Sequence, residues 1–526
     1  MLHFVTIFQQ VNGPLLCLNF RTTTRKTYFK VINILNVTIT YPSHFRKSLG
    51  WLIKKYIKAT SMSGPKLSDL PDEILENIFK QLDDYYGKKT IKSLTEVFSR
   101  FNDIISGSTD LMKLLTVYWS PKKDNDIGFM LASKRKYQNI SIKKVECVDE
   151  SLLTFLNKNP FADVSIQNSS LNVQELRDII KAVAKNIEKL NLDELELSSE
   201  AEHYKDLVDF PKLEKIRITG IECKQMSQIF KLFRGATNVI KFDYNDQRRL
   251  EVYEAYQFSR MVACFDGLKN LQLHTFEPYF FNDDYFAKNA TFQLQKYSHE
   301  STDGEYGELD FEPMDYEEQF ANGCVHLKNF LNRQRASLES MRINRFPISS
   351  EIVDSILAMD KLSFLALFKC VYRTSKPITV KNKSIKMLKI GHFHEYDEEY
   401  REGQLDRDTE IGYTAILSNC LNVEDLSLFN LEVTSGISMC IALYMKSLES
   451  ITFVENGSIF PMTFASVKTM DFSVIRFMDY NDVLKLLQVN QQLKVLNLPS
   501  EVKKHPNYLP TMRMLNLEKL MFLFPF

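Results

Sequence analysis

The chain has 526 residues with 66 basic and 66 acidic side chains, 44% apolar and 12% aromatic content, 17 Gly, 16 Pro and 8 Cys. That composition excludes collagen-like and disordered low-complexity chains and supplies apolar material for a large core. The charge balance is uneven: residues 1–61 hold nine Lys/Arg and no Asp/Glu, leaving a surplus of nine acidic residues beyond them, which argues against a general nucleic-acid binder.

The first 61 residues match no targeting signal well. Their first positive charge is Arg21, too late for the basic start of a signal peptide. Val31-Ile32-Asn33-Ile34 is β-branched, without the Arg-lined helical face of a mitochondrial presequence, and no apolar run is long enough for a membrane span. The segment is expected to be a basic, disordered or non-native extension, with Met62 as the working start. The cysteines (Cys17, Cys147, Cys223, Cys264, Cys324, Cys370, Cys420, Cys440) have no CxxC or zinc-knuckle spacing. Reduced, mostly buried thiols and a cytoplasmic or nuclear location follow as expectations. Sequons such as those at Asn139 and Asn168 are too short a motif to oppose this.

The stretch from Leu67 to Leu82 reads as a helix start. Pro71 is expected in the first turn, where its missing N–H costs nothing, and Asp72 and Glu73 follow where the helix dipole favours negative charge. Ile74, Leu75, Ile78, Phe79 and Leu82 then form one apolar stripe. After a polar break with Gly87, a second stripe runs through Ile91, Leu94, Val97, Phe98, Phe101, Ile104 and Ile105, closed by Gly107. Two helices in about 45 residues cannot bury both stripes against each other, so a partner surface is needed. Periodicity alone leaves two options: a helical cap on the following domain, or a docking module for another protein.

The residues carry more than periodicity. Leu70-Pro71-x-Glu73-Ile74-Leu75-x-x-Ile78-Phe79-x-x-Leu82, then Leu94-x-x-Val97-Phe98-x-x-Phe101 with Trp119 downstream, resemble the F-box. The resemblance implies docking onto the Skp-type adaptor of SCF ubiquitin ligases, and through it onto a cullin. It also implies that Leu70, Pro71, Ile74, Leu75, Ile78, Phe79, Val97, Phe98 and Phe101 form the helical core and the adaptor contact. Phe98-Ser99-Arg100-Phe101 departs from the family's usual Cys/Ser, paired basic residues and Trp.

Beyond Tyr137 a string of the form apolar-x-x-apolar-x-apolar recurs. It starts at Tyr137, Phe161, Ile187, Leu213, Val239 and Leu268, spaced 24, 26, 26, 26 and 29 residues apart, and again at Leu338, Leu362, Ile385, Val423, Leu448, Val467, Leu493 and Leu517. One copy, Leu294-x-x-Tyr297-x-His299, is doubtful because it ends in histidine. A single string means nothing, but this many at a near-constant period resemble the leucine-rich repeat. Each strand-plus-helix unit cannot bury its own apolar face, so units stack into a solenoid. Stripes at Leu176–Ala184 and at Val483, Leu484, Leu486 and Leu487 are expected to supply helices behind the strands. The fold class expected is therefore α/β, a leucine-rich-repeat solenoid shaped as a horseshoe with helices outside and parallel strands inside, over residues 120–526. A small all-helical module precedes it at 62–119.

Two acidic stretches interrupt the period. Residues 299–318 carry nine Asp/Glu without Lys/Arg, and residues 395–410 carry eight Asp/Glu against Arg401 and Arg407. Both are expected to be solvated loops on the rim. His392 and His394 beside Glu395 and Asp397 have no second cluster to complete a metal site.

Strand positions that point away from the core would line the concave sheet. They place Lys189, Lys215 and Lys241 at a strict 26-residue spacing, with Arg217 beside them and, further on, Arg342, Phe364, Ala366 and Met387. Lys189, Lys215, Arg217, Lys241, Arg342 and Phe364 are the candidate contacts to a protein substrate, set against the plainer reading of a solvated face. There is no glycine-rich phosphate loop, GxSxG or HExxH, so neither an enzyme activity nor a cofactor is expected. The expected partners are a Skp-type adaptor, a cullin through it and a protein substrate, with no nucleic acid and no membrane. The competing readings are an interaction scaffold whose helical module is only a cap, and a secreted repeat receptor, which the unpaired cysteines disfavour.

Overall fold

The computed structural model describes residues 70–80, 91, 95, 99–121, 128, 130–198, 208–223, 226–246, 252–275, 286, 289–301, 325–373, 376–391, 407–474 and 479–523. Two compact units divide the chain: one reaches Lys144 and takes in Val148–Val164, and the other joins Val145–Cys147 to Ser165–Phe526.

The first unit contains α1 (Asp72–Lys80), α2 (Ser99–Gly107), α3 (Thr109–Met112), β1 (Thr116–Trp119), β2 (Asn139–Lys143) and α4 (Glu150–Lys158). α1 starts one residue later than its sequence suggests. Pro71 stands at the cap, where its carbonyl accepts the N–H groups of Ile74 and Leu75, each at 3.1 Å. Gly107 is the last residue of α2, and Ser108 then caps α3 by accepting the Leu111 N–H at 3.4 Å. β1 and β2 pair in parallel, with Trp119 opposite Ile142. Trp119, read from sequence as an aromatic downstream of the module, is thus a strand residue; its ring packs 5.4 Å from Phe155 of α4, which in turn lies 5.6 Å from Phe161.

The second unit is a parallel ladder. Its strands are β3 (Asp163–Asn172), β4 (Lys189–Ser198), β5 (Lys215–Thr219), β6 (Glu222–Cys223), β7 (Lys241–Asp246), β8 (Asn270–Thr275), β9 (Lys296–Ser301), β10 (Ser340–Asn344), β11 (Pro347–Ser349), β12 (Phe364–Phe368), β13 (Val371–Arg373), β14 (Met387–Gly391), β15 (Asp425–Phe429), β16 (Ser450–Val454), β17 (Thr469–Val474), β18 (Val495–Pro499) and β19 (Lys519–Leu523). From β4 to β19 they pair in chain order, skipping β6, which runs beside the second half of β4, and β11 and β13, which form their own ribbon. The apolar positions of the interior strings are buried, as Leu190 and Leu192, Ile216 and Ile218, and Leu426 and Leu428 show, whereas in the last string Leu520 is exposed. Behind the sheet lie helices at Val173–Val183 and Tyr480–Gln488, with buried faces that include Leu176, Ile179, Ile180, Leu484 and Leu487. This is the leucine-rich-repeat solenoid architecture.

The doubtful copy is a full member of the ladder. Tyr297 and His299 of β9 stand in register with Leu271 and Leu273 on one side and Met341 and Ile343 on the other. The polar atoms are reconciled locally: the Tyr297 hydroxyl and His299 Nδ1 share a hydrogen bond at 2.9 Å, and the imidazole packs edge-on to Phe346 at 4.5 Å. Burial keeps the imidazole neutral by pushing its pKa down to about 3. The acidic stretches also begin and end differently from a simple loop. His299–Ser301 belong to β9, and Arg407–Glu410 open a helix running to Asn419, with Asp408 and Glu410 in its first turn. Residues 302–318 and 392–406, including His392 and His394, lie outside the described residues.

Two devices join the repeats. Two residues past the last apolar position the backbone turns left-handed, at Asn168, Glu194, Gly220, Arg345, Lys369, Asn430 and Glu455, with φ between 44° and 59°. The N–H there bonds to the next strand, as in Gly220 to the Asn245 carbonyl at 3.0 Å and Asn430 to that of Val454 at 2.7 Å. Buried amides close other gaps. Asn382 donates to the Leu357 and Met359 carbonyls at 2.9 and 3.0 Å while accepting from the N–H groups of Ser384 and Ile385. Asn490 accepts from the Phe464 N–H at 2.7 Å and donates to the Met462 and Leu486 carbonyls, both at 2.8 Å.

Candidate functional site: two interaction surfaces

In the first unit the apolar stripes of α1 and α2 close on each other, on α3 and on the turn leading to β1. Leu75, Phe79, Ile91, Phe101, Ile105, Leu111, Met112 and Leu115 form one buried cluster, with Leu70, Ile78, Ile104, Leu114 and Tyr137 packed at its edge. The Phe79 and Phe101 rings meet edge to face at 5.4 Å. The nine sequence candidates therefore separate. Leu75, Phe79 and Phe101 are buried, Leu70, Ile74 and Ile78 are half-buried, Pro71 is exposed, and Val97 and Phe98 lie outside the described residues.

Polar contacts fix the exposed end of α1. The Arg100 guanidinium donates to Asp72 Oδ1 from Nε at 2.8 Å and to the Leu70 carbonyl from its terminal nitrogen at 2.8 Å, pinning the Leu70-Pro71 turn to α2. The sequence did not reveal this role, because Arg100 stands where the family motif is departed from. At the other end of α1, the Ser108 hydroxyl donates to Glu76 at 2.6 Å, and Lys80 bridges Glu76 at 2.9 Å and Asp110 at 3.0 Å. The Ser108 hydrogen bond, and then Lys80, hold the Glu76 carboxyl below the usual carboxylate range.

In the second unit the strand register assembles the other candidates. Lys189, Lys215, Lys241, Asn270, Lys296, Ser340, Phe364 and Met387 stand opposite one another in a single column from β4 to β14. The four lysines are exposed, and among the described residues no ion pair involves them. Lys296 belongs to this column although its repeat is the atypical one, which is why reading the regular copies misses it. The next column runs Asn191, Arg217, Asp243, Gln272, Ser298, Arg342, Ala366 and Lys389. Arg217 and Asp243 approach to 3.7 Å, so this cation is partly answered within the sheet.

The character changes from β10 onward. Exposed Arg342 lies 5.2 Å over the Phe368 ring, and Lys389 lies 6.0 Å over Phe364. Gly391 stands in register between Phe368 and Phe429. A Cβ there would fall 2.8 Å from both side chains, so its absence lets the two rings meet at 5.3 Å. Phe364 is half-buried, Ala366 buried and Met387 37% exposed, which leaves a shallow apolar area at the far end of the lysine column. Further along β8 and β9, His274 pairs with Glu300 at 3.2 Å, and this hydrogen bond holds the Glu300 carboxyl below its ordinary range.

Among the described residues no group of three His, Cys, Asp or Glu is placed to hold a metal ion. Cys370 and Cys420 are buried free thiols pushed up to about 12 by burial, Cys264 and Cys440 are half-buried, and Cys147 is exposed. No helix among the described residues is long and apolar enough to cross a membrane.

Comparison with known proteins agrees with the helical module. A family model described as the F-box domain matches residues 67–109. No curated protein matches the chain. Among solved structures, a crystal structure of a TLR13–ssRNA13 complex is similar to 73% of this chain at 11% identity and a TM-score of 0.33. The alignment spans 65% of that chain, just under two thirds of its length. The protein thus carries an F-box domain, followed by a parallel-stranded solenoid of leucine-rich-repeat architecture.

Proposed function

We propose that this chain is the substrate-recognition subunit of a cullin-based ubiquitin ligase of the SCF type, acting in the cytoplasm or nucleus. Its F-box binds a Skp-type adaptor, and its repeats bind the protein to be ubiquitylated. The subunit performs no chemistry itself. Holding a substrate beside a separately supplied transfer enzyme raises the effective concentration of the reacting groups. One observation carries this reading: within the F-box match, Pro71 is exposed and Leu70, Ile74 and Ile78 are half-buried, while Leu75, Phe79 and Phe101 are committed to the core beneath them. The first four would make the contact and the other three would hold its shape.

A second reading is an interaction scaffold in which the module only caps the repeats. Tyr137 favours it by packing on the module's cluster, as do the Gln138 side-chain bond to the Thr109 carbonyl at 3.2 Å and the Asn139 bond to that of Lys113. A pull-down of the full chain with a purified Skp-type adaptor separates the two. The receptor reading expects capture, lost in a Leu70→Ala, Pro71→Ala variant whose circular dichroism is unchanged. No capture by the parent chain supports the scaffold.

A further inference from the structure

We propose that the open sheet face from β4 to β14 takes an extended acidic segment of the substrate running across the strands, its carboxylates or phosphates on the lysine column and an apolar residue against Phe364 and Met387. This deepens the receptor reading and rests on it. The first argument is local energetics. Like charges directly opposite on neighbouring strands oppose folding, yet Lys189, Lys215 and Lys241 occupy three successive register positions, and Lys296 follows after Asn270. An anion supplied from outside is the group this arrangement lacks.

The second argument is width. Glu188 and Glu214 immediately precede Lys189 and Lys215, Asp193 lies further along the strand of Lys189, and Asp243 stands on the strand of Lys241 in register with Arg217. A lysine column with Glu188 and Glu214 at one edge and the mixed Asn191, Arg217, Asp243 and Gln272 column at the other suits a single extended chain. A nucleic acid, which spreads phosphates over a broader path, would meet those carboxylates.

The third argument is length. Lys189 to Met387 is seven strand steps, which at about 4.8 Å per step gives about 34 Å, or about ten residues of extended peptide at about 3.3 Å each. Lys296 lies two steps from Phe364 and three from Met387. The apolar residue should therefore fall about three or four residues beyond the last acidic one. Ala366, in register with Arg342 and Lys389, supplies little bulk in the neighbouring column and leaves the Phe364–Met387 area open to it.

The test is fluorescence anisotropy of the full chain with labelled peptides about ten residues long, the reach of the column. One is rich in Asp and Glu with a Leu about four residues past the last acid, one carries phosphoserines at the same acidic positions, and one has Lys throughout; a single-stranded RNA of matching charge is added. The acidic peptides should bind, with affinity falling as salt rises from about 50 to about 300 mM, and the lysine peptide should not. A Lys215→Glu, Lys241→Glu variant should lose at least about tenfold in affinity, and Phe364→Ala about threefold, together with the preference for Leu. Which of Asp/Glu and phosphoserine binds more tightly distinguishes a constitutive from a modified acidic segment, both within the proposal. Absence of acidic-peptide binding by the parent chain, binding unchanged in the double variant, or RNA binding that exceeds peptide binding and shares its sensitivity would each overturn it. The same preparations enter the adaptor pull-down. A chain that captures adaptor but not peptide fails only this inference; one that captures peptide but not adaptor fails the receptor reading.

Discussion

Across β14–β19 the charged residues standing just before each strand form opposite-charge pairs at three of the five strand steps. Lys386 meets Glu424 at 2.6 Å, Lys468 meets Glu449 at 2.9 Å and Lys494 meets Glu518 at 3.3 Å. Across β4–β9 the neighbours are alike, Glu188 beside Glu214 and Lys189 beside Lys215 and Lys241. Both ends of the ladder pair their strands in parallel, so the direction of pairing does not explain the difference. Where charge is matched, the polar surface serves the fold; where it is not, the proposed acidic segment would supply the missing charge. That division can be attacked from both sides.

The matched end should be expensive to disturb from within. Asn490 answers three backbone groups of its own and the neighbouring segment. Asn490→Leu leaves the Phe464 N–H and two carbonyls unpaired in a buried site, a loss of about 3–5 kcal/mol. Urea denaturation followed by circular dichroism would measure it, and hydrogen exchange at the Phe464 amide should accelerate. If stability moved by less than a third of that, the amide would be a passenger and this end would owe its order to packing alone.

The basic end has its own buried polar residue, and it is sensitive to acid. The His299 pKa of about 3 lies below the unfolded value near 6.5. Above pH 6.5 the ring is neutral in both states and nothing is lost. As pH falls below that, the unfolded chain binds a proton that the folded chain refuses, at roughly 1.4 kcal/mol per pH unit, so about 2 kcal/mol is gone by pH 5. Hydrogen exchange at pH 5 should show β9 and its neighbours loosening before β15–β18. In His299→Gln, which cannot titrate, that part of the acid slope should vanish; a slope that persists would place the sensitive group elsewhere.

What was legible in the sequence divides along the same physical line. Buried strand positions such as Leu190 and Leu192, and helix faces such as Leu176 to Ile180, announce themselves by period, because alternate residues must be apolar to reach the core. Contacts made between repeats leave no period. His299 is readable as a core residue only once Tyr297 is seen to satisfy it, and Asn382 and Asn490 look like ordinary loop residues until their neighbours are in place. The atypical copy hid Lys296 from the lysine column for the same reason. In the F-box, the motif does not show which of its residues are buried: burial of Phe79 and exposure of Pro71 depend on the return of α2, and the Arg100 clamp spans a separation of 28 residues.

Turn chemistry offers a smaller probe. Among the described left-handed turn positions Gly220 alone is glycine, with φ of 57° and the nearest atom to an added Cβ at 3.7 Å. Space is not limiting, so Gly220→Ala should cost only the conformational strain, about 1 kcal/mol, visible as a lowered urea midpoint. The converse, Asn430→Gly at the matched end, should gain a few tenths of that, because Asn already tolerates this conformation. Equal and opposite shifts would mean the two ends tolerate the turn alike and differ in charge only.

The smallest effect in stability is the sharpest for function. Lys215→Glu places a carboxylate between Lys189 and Lys241 and so gives the basic end opposite-charge neighbours, as the other end has at three of its steps. Cross-strand pairs at exposed positions are worth a few tenths of a kcal/mol each, and solvent screening keeps the gain near 0.5 kcal/mol. The variant should be slightly more stable than the parent, with a small rise in urea midpoint that high salt removes, while its affinity for acidic peptide falls. Glu424→Lys, the mirror change beside Lys386, should lose a similar amount of stability and leave peptide binding untouched. A residue whose replacement improves the fold and weakens binding is one the fold does not require. If Lys215→Glu instead destabilises the chain as Glu424→Lys does, the unmatched column belongs to the architecture and the contrast between the two ends disappears.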